Sequence, residues 1–265
     1  MGKEKVKQHY VPQFYLKLFS QEKNGNHVYC YDKEKKKPFR TNVRRLCYEI
    51  GFYEVANMPN KPIEEAFSIQ ERECSRIFRK IINAEDMRIL TETELAEFLG
   101  FLVIFKQRTK KRREIVTKAR EIWLDRINSQ FSDWEVVPDS GNWKQVDHLL
   151  SMIDLLEEET RMLFKNSWVM VVNQTKNPFW TSDDPLIQQY IGSDKRFSEP
   201  YVKYYFPLTP RLLIFSEPLI GNVVKLYKMI TTNEVLVNNT NYRLTLKNAL
   251  RFVISKEDNF PKGEH

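Results

Sequence analysis

The sequence predicts an α+β protein: a mixed or antiparallel sheet built from N- and C-terminal segments, with a central helical bundle insert. Aromatic and β-branched runs gather before position 60 and again after position 166. Between them apolar residues recur at helical spacing, and Pro59 and Pro62 mark the change of pattern. The organisation expected is an extended hairpin segment over 1–60 that joins the sheet, a helical insert over 61–165, and a β-rich part over 166–265 that completes the site. At 265 residues, 42% hydrophobic and 13% aromatic, the chain can bury a sizeable core.

The run His27-Val28-Tyr29-Cys30-Tyr31 follows the turn signal Asn24-Gly25-Asn26 and reads as a strand. Asp32-Lys33-Glu34-Lys35-Lys36-Lys37 reads as a solvated turn, and 48–55 as a short strand or bend. Over 63–82 the positions Ala66, Ile69, Cys74, Ile77, Phe78 and Ile81 lie on one helical face, with charged residues opposite. Thr91-Glu92-Thr93-Glu94 carries the capping-box pattern and opens a second helix that is apolar on nearly every side, as a buried central helix would be. Further helices are expected over 113–131 and 146–164, separated by a loop over 134–143. Glu157-Glu158-Glu159 reads as an exposed face. After Asn166 the β-prone runs at 167–173, 201–208, 211–215 and 223–227 predict strands, with 179–181 starting a return strand. A helix over 232–248 and a strand over 251–255 close the pattern.

Lys and Arg number 42 against 35 Asp and Glu, a net charge of +7 that suits a polyanion partner without requiring one. Cys30, Cys47 and Cys74 match no zinc spacing and read as reduced core thiols of a cytoplasmic protein without a leader sequence. No apolar run reaches the ~18 residues of a membrane span. With eight glycines and no phosphate-cradling loop, no nucleotide cofactor is expected. A divalent metal stays open, as there is neither an HExxH motif nor a Cys/His-rich set. Oligomeric state is unassigned.

Two stretches concentrate chemistry. The first is His9-Tyr10-Val11-Pro12-Gln13-Phe14-Tyr15-Leu16, a His/Gln pair around a proline followed by large apolar side chains that anchor it. The second is Trp180-Thr181-Ser182-Asp183-Asp184-Pro185. It reads either as an Asx-type turn or cap, or as a carboxylate aimed into a cleft. The densest charge is the run from Lys106 to Arg113. It reads as a solvated helix end or, through Lys110, Lys111 and Arg112, as a phosphate-binding surface. Tyr201, Tyr204, Tyr205 and Phe206 read as half-buried sheet residues or as base-stacking aromatics. His27 and His148 read as ordinary surface or turn residues.

Together the His-Tyr-Val-Pro-Gln-Phe-Tyr-Leu and Thr-Ser-Asp-Asp-Pro segments resemble the domain of unknown function 4238 family over essentially the whole chain. Arg108-Thr109, Leu208-Thr209-Pro210, and the stretch 238–241 followed by Ala249 are similar to it as well. The family form has Asn where this chain has Asp184, which favours Asp183 as the functional carboxylate and leaves the role of Asp184 open. The resemblance implies a role in bacterial antiphage defence and no established reaction. The residues themselves suggest phosphodiester cleavage, on RNA more than DNA. In that scheme His9 shuttles a proton, Asp183 accepts from its ring, Gln13 and Asn241 orient the substrate, and Arg108 with Lys110, Lys111 and Arg112 meets phosphate. The alternative is a non-catalytic module that senses nucleic acid or a phage-derived trigger and acts through a partner.

Overall fold

Helix α3 (Glu92–Gln107) runs through the centre because its sequence is apolar on nearly every side: Leu95, Phe98, Leu99, Phe101, Leu102, Val103 and Phe105 are all buried. Its start is fixed by the expected capping box, Thr91 accepting from the Glu94 amide and Glu94 from the Thr91 amide. The computed structural model describes residues 7–22, 25–55, 61–130, 143–192, 201–219 and 223–261. The expected loop over 134–143 lies outside these, save for Trp143, and so does Asn24.

Around α3 lie α2 (Lys61–Ala84), α4 (Lys110–Gln130), α5 (Trp143–Asp154) and α6 (Leu156–Phe164). The helix expected over 146–164 is therefore two helices, broken at Leu155. Two sheets flank the helices. The first contains β5 (Asn166–Asn173), β7 (Ile187–Ile191), β8 (Tyr201–Pro207), β9 (Leu212–Pro218) and β10 (Leu226–Thr231) in the order β10-β5-β9-β8-β7. Only the β10–β5 pair is parallel. The inner strand β5 is buried along nearly its whole length, which explains its unbroken apolar run. The second sheet is antiparallel, in the order β3-β2-β11-β6, and joins β2 (His27–Asp32) and β3 (Lys37–Asn42) to β6 (Thr181–Ser182) and β11 (Phe252–Ser255). Both ends of the chain thus share a sheet, as the sequence predicts. The segment 179–181 does not return along β5, however. Trp180 packs with Tyr31, Val253 and Phe260 in a separate apolar cluster, and this carries β6 across to β11.

The expected turn at 32–37 closes the β2–β3 hairpin. Asp32 Oδ1 accepts from the amides of Glu34 and Lys35, and Lys36 takes the left-handed backbone at φ 49°. A third ladder joins β1 (Lys7–His9) to β4 (Tyr48–Ile50) and ends at Gly51. There φ is +65° and a Cβ would meet Glu54 Oε2 at 2.7 Å. The C-terminal helix is shorter and stranger than its pattern. After α7 (Glu234–Asn239) the chain widens into a π-helical turn, Thr240–Leu246.

The N-terminal motif forms one short helix, α1 (Gln13–Lys17), entered through Pro12. It is a wedge between the layers. The Tyr15 ring packs against Phe105 of α3 and Phe206 of β8, with centroids 4.9 and 5.2 Å away. Its hydroxyl lies 2.6 Å from Thr181 Oγ1 and donates to the Pro207 carbonyl at 2.5 Å. One main core, reaching from Tyr10 to Ile254, runs continuously through all three sequence segments. Replacing Tyr15 with Phe keeps the ring and strands two buried oxygens. Urea unfolding is expected to show a loss on the order of 2 kcal/mol.

Candidate functional site

Strand β1 sets His9 and Gln8 on opposite faces. Gln8 is structural: its Oε1 accepts from the Tyr53 amide and its Nε2 donates to Glu64. His9 lines a cavity of about 210 Å³ whose wall also includes Lys7, Gln13, Phe67, Glu71 and Arg108. Gln13, one helical turn on, donates its amide to His9 Nδ1 at 3.3 Å, so the ring proton sits on Nε2. That Nε2 is buried without a hydrogen-bond partner. Burial pushes the imidazole down to about 4, with a contribution from the Arg108 and Lys7 charges and opposition from the Arg44 backbone. His9 is therefore neutral at physiological pH.

Arg108, at the end of α3, is only 3% exposed. It donates to Glu71 at 2.7 Å, to the His9 carbonyl at 3.0 Å and to the Tyr53 hydroxyl at 3.4 Å, and it stacks 4.0 Å above the Phe67 ring. Three of the five guanidinium N–H groups are used in this way. The basic run that contains it is not a solvated surface. Lys106 pairs with Glu159, Lys110 and Arg113 with Glu49, and Lys111 with Asp184. Arg112 buries its Nε without a partner. Glu159 accordingly leaves the expected exposed acidic face. Lys110, Lys111 and Arg112 do not line the His9 cavity.

The acidic turn is built for a different task. Asp183 Oδ1 accepts from the Leu250 amide at 2.9 Å, and Oδ2 accepts from the Arg251 and Phe252 amides at 2.8 and 2.9 Å. The carboxylate thus stands in for a strand at the entry to β11. Desolvation outweighs these bonds and lifts its pKa to about 6. Asp184 pairs with Lys111 at 2.9 Å and accepts from Asn248 at 2.8 Å; burial raises its pKa against those two partners. Asn241, in the π-helical turn, accepts from the Trp180 amide and donates to the Pro178 carbonyl, both at 2.8 Å. It fixes the approach to Thr181.

The structure thus brings His9, Gln13 and Arg108 together on one wall and holds Asp183 and Asn241 elsewhere. The expected Asp183–His9 hydrogen bond is not formed, because both Asp183 oxygens serve the backbone at 250–252 and the His9 ring meets Gln13 and Tyr48. Sequence reasoning missed Glu71, Glu64 and Tyr53, which lie on an amphipathic helix and a bend without a motif. The signal available was Glu71 lying near the apolar stripe of α2. His148, read from sequence as a surface residue, is completely buried. It stacks on Tyr53 and holds the Gln107 carbonyl through Nε2 at 2.6 Å. Among the described residues no group of three or more His, Cys, Asp or Glu is placed to hold a metal ion. Cys30, Cys47 and Cys74 are free and buried. No helix among the described residues is long and apolar enough to cross a membrane.

The family described as "Protein of unknown function (DUF4238)" matches residues 7–259, a span that takes in β1, the acidic turn and β11. The chain belongs to this family. No curated protein and no solved structure matches it.

In this DUF4238 protein, replacing Asp183 with Asn would turn an amide NH₂ toward backbone donors. Chemical denaturation at pH 7 is expected to show a loss of about 2 kcal/mol. The buried His148 contributes to acid stability, as His9 with the same shift does. Burial holds its pKa near 4, against an ordinary value of 6.5, so the unfolded chain binds its proton first. Its contribution is present above pH 6.5 and is lost as pH falls through about 4. A His148→Phe variant should show a flatter stability profile over that window, by on the order of 3 kcal/mol in urea titrations at successive pH values.

Proposed function

We propose that the His9 cavity is a general acid–base site for phosphodiester cleavage, acting on RNA in preference to DNA, in an antiphage defence effector released by a phage-derived trigger. The observation that supports this reading is the neutral imidazole of His9 sharing one 210 Å³ cavity wall with the Arg108 guanidinium. A phosphate in the cavity would meet the two N–H groups that Arg108 has left. Its negative charge would also offset the Arg108 charge that depresses the imidazole, making His9 a stronger base when substrate is bound. His9 Nδ1 takes the proton of a ribose 2′-hydroxyl in place of the long Gln13 contact, and the 2′-oxygen attacks phosphorus. The bond to the 5′-oxygen breaks, that oxygen takes a proton from the Lys7 ammonium on the same wall, and solvent restores both groups. The products are a 2′,3′-cyclic phosphate and a 5′-hydroxyl. The internal nucleophile is the reason for preferring RNA, since a metal-activated water is not required for this step.

The test is incubation of the purified protein with single-stranded RNA, DNA of the same sequence and duplexes, with and without EDTA. His9→Asn should reduce RNA cleavage by at least roughly a hundredfold, in the range of general base removal, with the melting temperature unchanged. The wild-type kcat/KM should fall as pH drops through about 4, the value burial gives the free imidazole. A break at 6.5, or full activity in His9→Asn, would remove His9 from the chemistry. Cleavage of no nucleic acid by the wild type would leave the sensor reading.

A further inference from the structure

A second hollow, of about 420 Å³, lies between the start of β2, the edge strand β3 and the 3-10 turn Val43–Arg45. Its lining is His27, Arg40, Thr41, Asn42, Arg44 and Arg45. The turn is firmly made: Val43 is fully buried, its amide donates to the Asn26 carbonyl, and Asn42 Oδ1 caps the Arg44 amide at 3.0 Å. This presents three guanidiniums on a fixed backbone. Their charge is less compensated than that of the paired cations at 108–113. Arg108, Lys110, Lys111 and Arg113 are each matched by a carboxylate. The side chains of Arg44 and Arg45 have no ionic or hydrogen-bonding partner among the described residues. Arg40 meets Glu22 in a pair with both side chains about half exposed, the kind that exchanges readily. Arg44 links the two hollows: its side chain lines the second, its backbone lies toward the His9 ring, and the turn that carries it packs on α1, the helix of Gln13.

We infer that the Arg40–Arg44–Arg45 hollow binds the phosphodiester backbone of a single-stranded nucleic acid and delivers the adjoining nucleotide to the His9 cavity. This rests on the reading of that cavity given above. Arginine forks suit phosphate oxygens, and the His27 ring on the same wall offers a face on which an unstacked base can lie. Hollows of 420 and 210 Å³ admit a single strand, whereas a duplex is too wide and stiff to enter them.

Fluorescence anisotropy with a labelled oligouridylate, over a salt series, tests this. Neutralising Arg40, Arg44 and Arg45 to Gln should weaken binding roughly tenfold or more near 0.1 M salt and lower the salt slope by about 2. Arg211→Gln, at a residue that lines neither hollow, should bind like the wild type. If the triple variant misfolds by circular dichroism, Arg44→Gln and Arg45→Gln singly serve, each expected to lower the slope by about 0.7. An unchanged affinity and slope would overturn the inference, as would equal binding of a polyglutamate peptide or tighter binding of a duplex. An oligonucleotide held through these arginines but never cut would leave the inference standing and remove the catalytic reading. Cleavage with no dependence on the arginines would do the reverse.

Discussion

A single phenolic oxygen holds the layers of this protein in register. Tyr15 comes from the N-terminal motif, and its hydroxyl reaches Thr181 in the antiparallel sheet and the Pro207 carbonyl in the mixed sheet. Its ring is sandwiched between the central helix and β8. A buried hydroxyl must find partners, and only this placement of α1 between the sheets supplies both. The position of α1 then fixes Gln13, which in turn meets His9. Three of the segments resembling one family, His9 to Leu16, Thr181 to Pro185 and the run that follows Pro207, thus meet at the Tyr15 hydroxyl. Two of them serve that junction and do not line the His9 cavity.

The same division of labour explains the charges. A run as basic as 106–113 would be expected to face solvent, yet the start of α4 lies against β4, the acidic turn and the residues that follow the π-helical turn. Each of these offers a carboxylate or amide to a passing cation: Glu49 to Lys110 and Arg113, Asp184 and Asn248 to Lys111. Such pairs contribute more to which elements lie together than to net stability, because desolvation consumes much of the attraction. They also engage the cations that the sequence advertises most strongly, while the less conspicuous Arg44 and Arg45 of the turn after β3 stay exposed.

How much of this could be read in advance follows from what each signal encodes. The α+β class, the buried central helix with its capping box, the 32–37 turn and the sheet shared by both chain ends all come from local patterns, and local patterns survive folding. The break at Leu155 and the π-helical turn do not show, since neither interrupts the apolar spacing. Asp183 was legible as a turn former, and it does bind backbone amides, but those of residues 250–252 and not its neighbours. No single-chain pattern can disclose a partner 67 to 69 positions away. The convergence of Glu71 and Arg108 with His9 was hidden for the same reason.

The antiparallel sheet has a temporal consequence. Its inner pair is β2 with β11, and Asp32 grips Arg251 across a separation of 219 residues. Contacts of such high sequence separation are the last for which chain entropy is overcome, and proteins dominated by them fold slowly. On the ribosome the first hairpin must therefore wait, one edge unpaired, until β11 has emerged. Asp183, which clamps the start of β11, closes the ring only then. A nascent or truncated chain lacking that last strand would leave β2 and β6 unjoined and the three Asp183 bonds to residues 250–252 unmade.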